Sequence, residues 1–232
     1  MLGIIGAMAN EVEQLKDKMT DVEISTKATM EFYYGKMSGK DVVIVQSGIG
    51  KVNAAVCAQI LIDDFDVTGI VNTGVAGSLR PEINIGDIVI STDAVEHDMN
   101  VMQLGYERGV IPGAETSVFV ADDDLIELTK KCCEDSVDVD VFEGRVVSGD
   151  IFVSDKKIKA KLIDKFDAFC TEMEGGAIAH CACLNKVPFV VIRSISDKAD
   201  DSAHMDYPEF EAMAIKNSVS LIESIIANYK GK

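Results

Sequence analysis

The stretch of the chain that decides the fold runs from Thr171 to Asp197 and reads TEMEGGAIAHCACLNKVPFVVIRSISD. Its first half predicts a helix that is apolar nearly all round, as helices buried in a protein core are. Pro188 ends the linker, and the apolar run 189–192 has the length and composition of a fully buried strand. A polar segment, RSISD at 193–197, follows at once. In open α/β sheets, ligands bind at the carboxyl ends of strands such as this one.

Strand-like and helix-like segments alternate outward from this stretch. Strands are predicted at 2–6, 22–27, 30–37, 41–46, 68–73, 86–91 and 139–147, and helices at 7–19, 51–65, 122–135, 154–166 and 207–229. Such alternation indicates an α/β fold, and the three short strands between 22 and 46 favour a mixed sheet. The length favours one domain, residues 1–232. The segment 98–116 has no clear periodicity, and a loop of this length is usually functional or interfacial.

Composition argues against several classes of partner. The net charge of −17 disfavours binding to nucleic acid or to an anionic membrane. No apolar run is long enough to span a bilayer, and the first residues, MLGIIGAMANE, lack the basic region of a signal peptide. We therefore expect a cytoplasmic protein.

The six cysteines and three histidines do not form a metal-binding pattern. No two cysteines have C-x-x-C spacing, and His97, His180 and His204 fit no zinc template. Reduced thiols are usual in the cytoplasm. We therefore predict no metal site.

Three glycine pairs follow predicted strands, namely Gly3 and Gly6, Gly48 and Gly50, and Gly74 and Gly77. None of them forms a nucleotide-binding fingerprint or a P-loop. Each pair is therefore either a simple tight turn or a place where the backbone approaches a ligand closely.

The charged residues near these elements have structural explanations as well as functional ones. Glu11 suits the positive end of a helix dipole at the surface. Glu174 lies three residues after Thr171, which is the spacing of a capping box, and the pattern alone favours that role. For Arg193 and Asp197 the structural alternative is a salt bridge, although polar side chains at strand ends often serve function.

Seven segments, read together, resemble one protein family. They are GIIGAMANEVE (3–13), SGIGKVNAA (47–55), VNTGVAGSL (71–79), GDIV (86–89), SGDIF (148–152), EMEGGAIA (172–179) and RSISDKAD (193–200). In this order, across nearly the whole chain, they are similar to the bacterial 5′-methylthioadenosine/S-adenosylhomocysteine nucleosidases. The EME and R-x-I-S-D motifs are shared with the wider nucleoside phosphorylase superfamily, and the opening GIIGAM-x-x-E points to a nucleosidase. The resemblance implies a single-domain α/β/α sandwich with a central mixed, partly barrel-like sheet.

The same resemblance implies an activity. The N-glycosidic bond of 5′-methylthioadenosine or S-adenosylhomocysteine would be hydrolysed to adenine and the 5-thioribose, with 5′-deoxyadenosine as a related candidate substrate. Asp197 would protonate adenine N7, and Glu11 would deprotonate the attacking water. Glu174 would bind the ribose 2′-hydroxyl, and Arg193 would orient the water and the carboxylates.

The resemblance also implies a set of substrate-binding residues. Phe152 would stack on adenine, the backbone of Val153 would read its edge, and Met173 would contact the sugar. The other predicted pocket residues are Met8, Ile49, Val75, Ala76, Gly77, Glu172, Ser196 and Tyr207. In a homodimer, the second subunit would contribute Val101, Leu104, Tyr106 and Pro112. Many relatives carry serine at the position of Val75.

The chemistry suits these residue types. A purine is a poor leaving group unless it is protonated, and the sugar gains positive charge as the bond breaks. A carboxylic acid beside the base and carboxylates around the ribose meet both needs without a metal or cofactor.

Three alternative functions remain open from the sequence. The first is a phosphate-dependent purine nucleoside phosphorylase, which would need basic residues around phosphate; Arg193, Lys51 and Arg80 are the candidates. The second is a nucleosidase for a related 5′-modified nucleoside such as a futalosine. The third is a non-catalytic nucleoside-binding protein.

Overall fold

The computed structural model describes residues 1–231, without the side chains of 204–206, 208–209 and 211–212; Lys232, the last residue of the predicted domain, lies outside the described residues. The strands are β1 (Leu2–Gly6), β2 (Thr20–Lys27), β3 (Met30–Met37), β4 (Lys40–Gln46), β5 (Gly69–Ser78), β6 (Ile88–Glu96), β7 (Phe119–Val120), β8 (Val141–Ser148), β9 (Cys170–Glu172) and β10 (Phe189–Asp197). The helices are α1 (Ala9–Lys16), α2 (Lys51–Phe65), α3 (Asp123–Ser136), α4 (Lys156–Phe166), α5 (Gly175–Asn185) and α6 (Ala203–Asn228).

Five of the strands close into a barrel. β5 pairs with β10, β10 with β6, β6 with β8, β8 with β9, and β9 with β5 again. From β5 the sheet continues through β1, β4 and β3 to β2, and the short β7 pairs with β6. β1 is parallel to both of its neighbours, β4 and β5, whereas β3 is antiparallel to both β2 and β4. The predicted α/β class with a mixed, partly barrel-like sheet is confirmed.

Burial follows the position of each strand in the sheet. All five residues of β1 and all nine of β10 are buried, as expected for strands covered on both faces. All eight residues of the edge strand β2 are exposed. The helix α5 is apolar nearly all round, as predicted, and packs between α2 and the barrel strands.

Local sequence signals explain where two of the outer helices begin. The Asp122 carboxylate accepts a hydrogen bond from the Leu125 amide at the start of α3. The Asp155 carboxylate does the same for the Lys157 and Ile158 amides at the start of α4. Aspartate is a favoured N-cap because it satisfies amides that have no partner within the helix.

Two strand ends differ from the prediction. Residues 74–77, expected to form a turn, continue β5 to Ser78 and pair with β10 and β9. The polar segment 193–197, expected to follow β10, is part of it. In both places the neighbouring strands satisfy the backbone hydrogen bonds, so glycines and polar side chains do not end the strand.

The aperiodic segment carries one short 3-10 helix, Met102–Leu104, and otherwise forms turns and irregular structure up to β7. Over residues 1–231, no helix combines the length and the apolar character that crossing a membrane requires.

Candidate active site

A cavity of about 370 Å³ opens beside the ends of β5, β9 and β10. The residues that line it are Ala7, Met8, Glu11, Ile49, Val75, Ala76, Gly77, Ile151, Phe152, Val153, Thr171, Glu172, Met173, Glu174, Ser196, Asp197 and Tyr207. This set brings together every pocket residue predicted within the chain and three of the four predicted catalytic residues. The fourth, Arg193, does not line the cavity and lies behind the lining residue Glu172.

Glu11 enters the cavity from α1 and is only 4% exposed. Its carboxylate accepts hydrogen bonds from the amides of Ala7 (2.7 Å), Met8 (2.9 Å) and Val75 (3.3 Å). Burial raises the pKa of Glu11, against the opposing influence of these amides and of Arg193. Glu11 does lie in the first turn of α1, but the predicted surface position is wrong. The raised pKa makes the Glu11 carboxylate a stronger base than an exposed glutamate, as a group that accepts a proton requires.

Thr171 and Glu174 do not form the capping box that their spacing predicted, and Glu172 caps the helix instead. Thr171 belongs to β9 and does not cap α5, and its buried hydroxyl has no hydrogen-bond partner among the described residues. The Glu172 carboxylate instead accepts from the amides of Glu174 (3.1 Å) and Gly175 (2.6 Å), so it caps the helix from the preceding strand. The Ser148 hydroxyl also donates to Glu172.

The carboxylate of Glu174 is thereby free to face the cavity. It accepts a hydrogen bond from the Gly50 amide at 2.8 Å. Burial and the nearby negative charge of Glu172 raise the pKa of Glu174 to about 7. The protonation of Glu174 therefore changes around neutral pH.

Arg193 is 2% exposed and donates to Glu172. It also donates to the side-chain oxygen of Asn72, and to the backbone oxygens of Asn72 (3.2 Å) and Ile192 (3.0 Å). Its guanidinium does not line the cavity, but it holds Glu172, which does.

Asp197 ends β10, is 2% exposed and lines the cavity. One carboxylate oxygen accepts from the Ser196 hydroxyl at 3.0 Å, and the other accepts from the Ala199 amide at 2.7 Å. These contacts fix the plane of the carboxyl group toward the enclosed space.

Gly74 and Gly77 explain how buried carboxylates fit beside a strand. A Cβ atom at Gly74 would lie 2.7 Å from Glu11 Oε1, and one at Gly77 would lie 2.8 Å from Asp197 Oδ1. These glycines allow the backbone to approach the protein's own carboxylates, an arrangement that neither earlier interpretation of the glycine pairs described.

The part of the cavity lined by Met8, Ile49, Phe152 and Tyr207 is apolar and partly open. The rings of Phe152 and Tyr207 meet edge to face with centroids 5.9 Å apart, and the Tyr207 hydroxyl contacts Met8 Sδ at 3.3 Å. Ile49 is 55% and Phe152 43% exposed, so this rim faces outward.

Val101, Leu104, Tyr106 and Pro112 do not line the cavity of their own chain, and their contribution from a second subunit stays a prediction. Three further residues line the cavity without having been predicted, namely Ala7, Ile151 and Thr171. Each of these three adjoins a predicted pocket residue, and that adjacency was the available signal.

Comparisons with known proteins agree with this geometry. A family model described as the phosphorylase superfamily matches residues 1–227. A 5′-methylthioadenosine/S-adenosylhomocysteine nucleosidase from Colwellia psychrerythraea 34H, solved with adenine, is 41% identical, with 100% of this chain and 96% of that chain covered and a TM-score of 0.94. The corresponding enzyme from Neisseria meningitidis, solved with methylthio-immucillin-A, is 36% identical, with 98% and 99% covered and a TM-score of 0.94.

A futalosine hydrolase of Helicobacter pylori is also similar, at 30% identity, with 98% of this chain and 97% of that chain covered and a TM-score of 0.93. The match to the family model over nearly the whole chain, together with these likenesses, establishes that the chain belongs to the phosphorylase superfamily.

Proposed function

We propose that this protein hydrolyses the N-glycosidic bond of 5′-methylthioadenosine and S-adenosylhomocysteine, releasing adenine and the 5-thioribose. The likeness to nucleosidases that bind adenine and methylthio-immucillin-A supports the substrate class. The charge of the cavity supports hydrolysis.

The observation that carries the proposal is the sign of that charge. Glu11, Glu172, Glu174 and Asp197 all line the cavity, and no lysine or arginine is among its described lining residues. Carboxylates stabilise the positive charge that develops on a ribosyl group as its bond to a purine breaks. They would repel the phosphate that a phosphorylase needs.

The basic residues considered for a phosphate site are all engaged elsewhere. Arg193 is paired with Glu172 behind the wall. Lys51 pairs with two other carboxylates, and Arg80 pairs with Asp167. The hydrolase is therefore favoured over the phosphorylase.

Within this reaction, Glu11 takes the proton of the attacking water. The three backbone amides hold the Glu11 carboxylate in one orientation. Burial raises its pKa, which makes it a stronger base than an exposed glutamate. Asp197 is the general acid that protonates adenine N7, and its two fixed hydrogen bonds orient it for that role.

Glu174 binds the ribose 2′-hydroxyl. A hydroxyl that donates to its carboxylate favours the charged form, so substrate binding offsets the raised pKa of Glu174. Met173 contacts the sugar, and Phe152, with Val153, holds the adenine. Arg193 keeps Glu172 in place beside them.

A nucleosidase for futalosine is the second candidate, because a futalosine hydrolase shares the fold at 30% identity. Met8, Ile49 and Tyr207 form an apolar wall that suits either 5′-substituent. Comparing the two substrates at equal concentration separates the candidates.

We also propose that the protein is a homodimer. Leu104 and Tyr106 are 72% and 43% exposed, and both lie away from the cavity of their own chain. Val52 and Leu184 are each 75% exposed on the neighbouring helices α2 and α5. A second subunit packed against these side chains would bury them and would cover the open rim at Ile49 and Phe152.

The six cysteines are free thiols, as in proteins of the reducing cytoplasm, where we place this enzyme.

Adenine release from 5′-methylthioadenosine, measured in phosphate-free buffer with and without added phosphate, tests the proposed reaction. Inosine serves as the control substrate. We expect release that does not depend on phosphate. Release that requires phosphate would assign the chain to the phosphorylases, and no release would favour a binding protein.

A further inference from the structure

Lys51 is the first residue of α2 and follows Gly50, whose amide binds Glu174. Its ammonium group donates to Glu96 Oε2 at 2.9 Å and to Asp98 Oδ1 at 2.7 Å. The side chain is only 18% exposed. It does not line the cavity.

These contacts belong to a closed ring of hydrogen bonds. The other oxygen of Asp98 accepts from the Asp150 amide at 3.0 Å, and the Asp150 carboxylate accepts from the Lys51 amide at 2.9 Å. Lys51 follows β4 through one turn, Asp98 follows β6, and Asp150 follows β8. The ring therefore ties together the ends of three strands.

The ring adjoins the substrate cavity at two points. Gly50 has a φ of +97°, a conformation that suits glycine, and a Cβ atom there would lie 3.1 Å from Asp150 Oδ1. Asp150 also accepts the Lys51 amide, so it holds the residue directly after Gly50, whose own amide binds Glu174. Phe152, at the rim of the cavity, is two residues further along the chain.

Lys51 also balances the charge in this region. The hydrogen bond from His180 and the one from Lys51 hold the pKa of Glu96 at about 2 despite burial. Burial would lower the pKa of Lys51, but Asp98 and Glu96 outweigh it and raise that pKa. Glu96 and the Lys51 ammonium group are therefore charged near neutral pH. Without the ammonium group, Glu96 and Asp98 would repel each other across the ring.

We propose that Lys51 is a positioning residue for the reaction, which holds the Gly50 amide and the Phe152 segment so that Glu174 meets the ribose 2′-hydroxyl. This inference rests on the proposed function. Lys51 acts through Gly50, Asp98 and Asp150 without contact with the substrate.

The test compares 5′-methylthioadenosine with its 2′-deoxy analogue in wild-type enzyme and in Lys51→Met. We expect kcat/KM for the 2′-hydroxyl substrate to fall about tenfold more than kcat/KM for the 2′-deoxy substrate. Lys51→Arg keeps the charge and should restore most of this discrimination. Lys36→Met, which removes an exposed lysine paired with Asp41, is the matched control and should change neither value.

The outcomes distinguish failure of the Lys51 inference from failure of the proposed function. If wild-type enzyme hydrolyses the substrate but Lys51→Met loses activity equally on both nucleosides, Lys51 has only a structural role and the inference is overturned. If wild-type enzyme releases no adenine, the proposed function itself fails. Should Lys51→Met not fold, Asp98→Ala opens the same ring, and the same loss of discrimination is required of it.

Discussion

Replacing Glu174 by glutamine should make the protein more stable at alkaline pH, although it removes a residue proposed to bind substrate. Glutamine keeps an oxygen that can accept the Gly50 amide bond at 2.8 Å. It removes a charge that is buried beside Glu172, and these two causes raise the pKa of Glu174 from 4.5 to about 7. The native state therefore holds this proton more tightly than the unfolded chain does.

The sign and the size of the effect follow from that difference. A carboxyl group of raised native pKa costs no stability well below pH 4.5, and its cost grows as the pH rises toward 7. At about 1.4 kcal/mol for each pH unit, the full cost is about 3 kcal/mol. We thus expect Glu174→Gln to raise the free energy of unfolding by about 3 kcal/mol at pH 8, and by less than about 1 kcal/mol at pH 5.

Urea denaturation at both pH values, at one fixed protein concentration, measures this difference. Glu82→Gln removes the same charge from an exposed position outside the cavity and should shift the free energy little at either pH. A gain for Glu174→Gln that is equal at pH 5 and pH 8, or a loss at pH 8, would refute the claim that Glu174 is held in a destabilised charged state.

Three further predictions concern catalysis and assembly. Asp197→Asn should reduce adenine release by roughly 10²–10⁴-fold while a substrate analogue still binds by calorimetry; more than about a hundredth of wild-type turnover would exclude Asp197 as the general acid. Asp200→Asn, which alters a nearby aspartate outside the cavity, is its control. Gly74→Ala should displace Glu11, whose Oε1 would lie 2.7 Å from the new Cβ, and lower kcat roughly a hundredfold with the urea midpoint showing a folded protein; unchanged kcat would contradict the assigned position of Glu11. Sedimentation should show a dimer, and a fully active monomer would rule out a catalytic contribution of the segment 101–112 from a second subunit.

Secondary structure was predictable where one local signal dominates. The helix predicted at 51–65 is found as Lys51–Phe65, and the strand predicted at 30–37 as Met30–Met37. The prediction was wrong at 74–77 and 193–197, where neighbouring strands hold glycines and polar residues in the sheet. The two-residue strand β7 and the three-residue strand β9 were missed, because such short segments carry no periodicity of their own.

The residues of the candidate site were found through motifs rather than through their surroundings. The resemblance selected Glu11, Glu174 and Asp197, and all three line one cavity. Pattern alone had favoured a surface position for Glu11 and a capping role for Glu174, since each spacing has a common structural explanation. Only the position of the chain around them shows that both are buried.

The sequence by itself determined the α/β class, the mixed sheet and the family, because hydrophobic periodicity and motif order are written along the chain. The tertiary structure alone decided which groups donate hydrogen bonds to the carboxylates of Glu11 and Glu174, and in which direction the pKa of each is shifted. The Gly50 amide that binds Glu174 is 124 residues away from it, and the Val75 amide that binds Glu11 is 64 residues away. Burial and charge act through space, so a carboxylate acquires its pKa only when the folded chain brings these distant groups together.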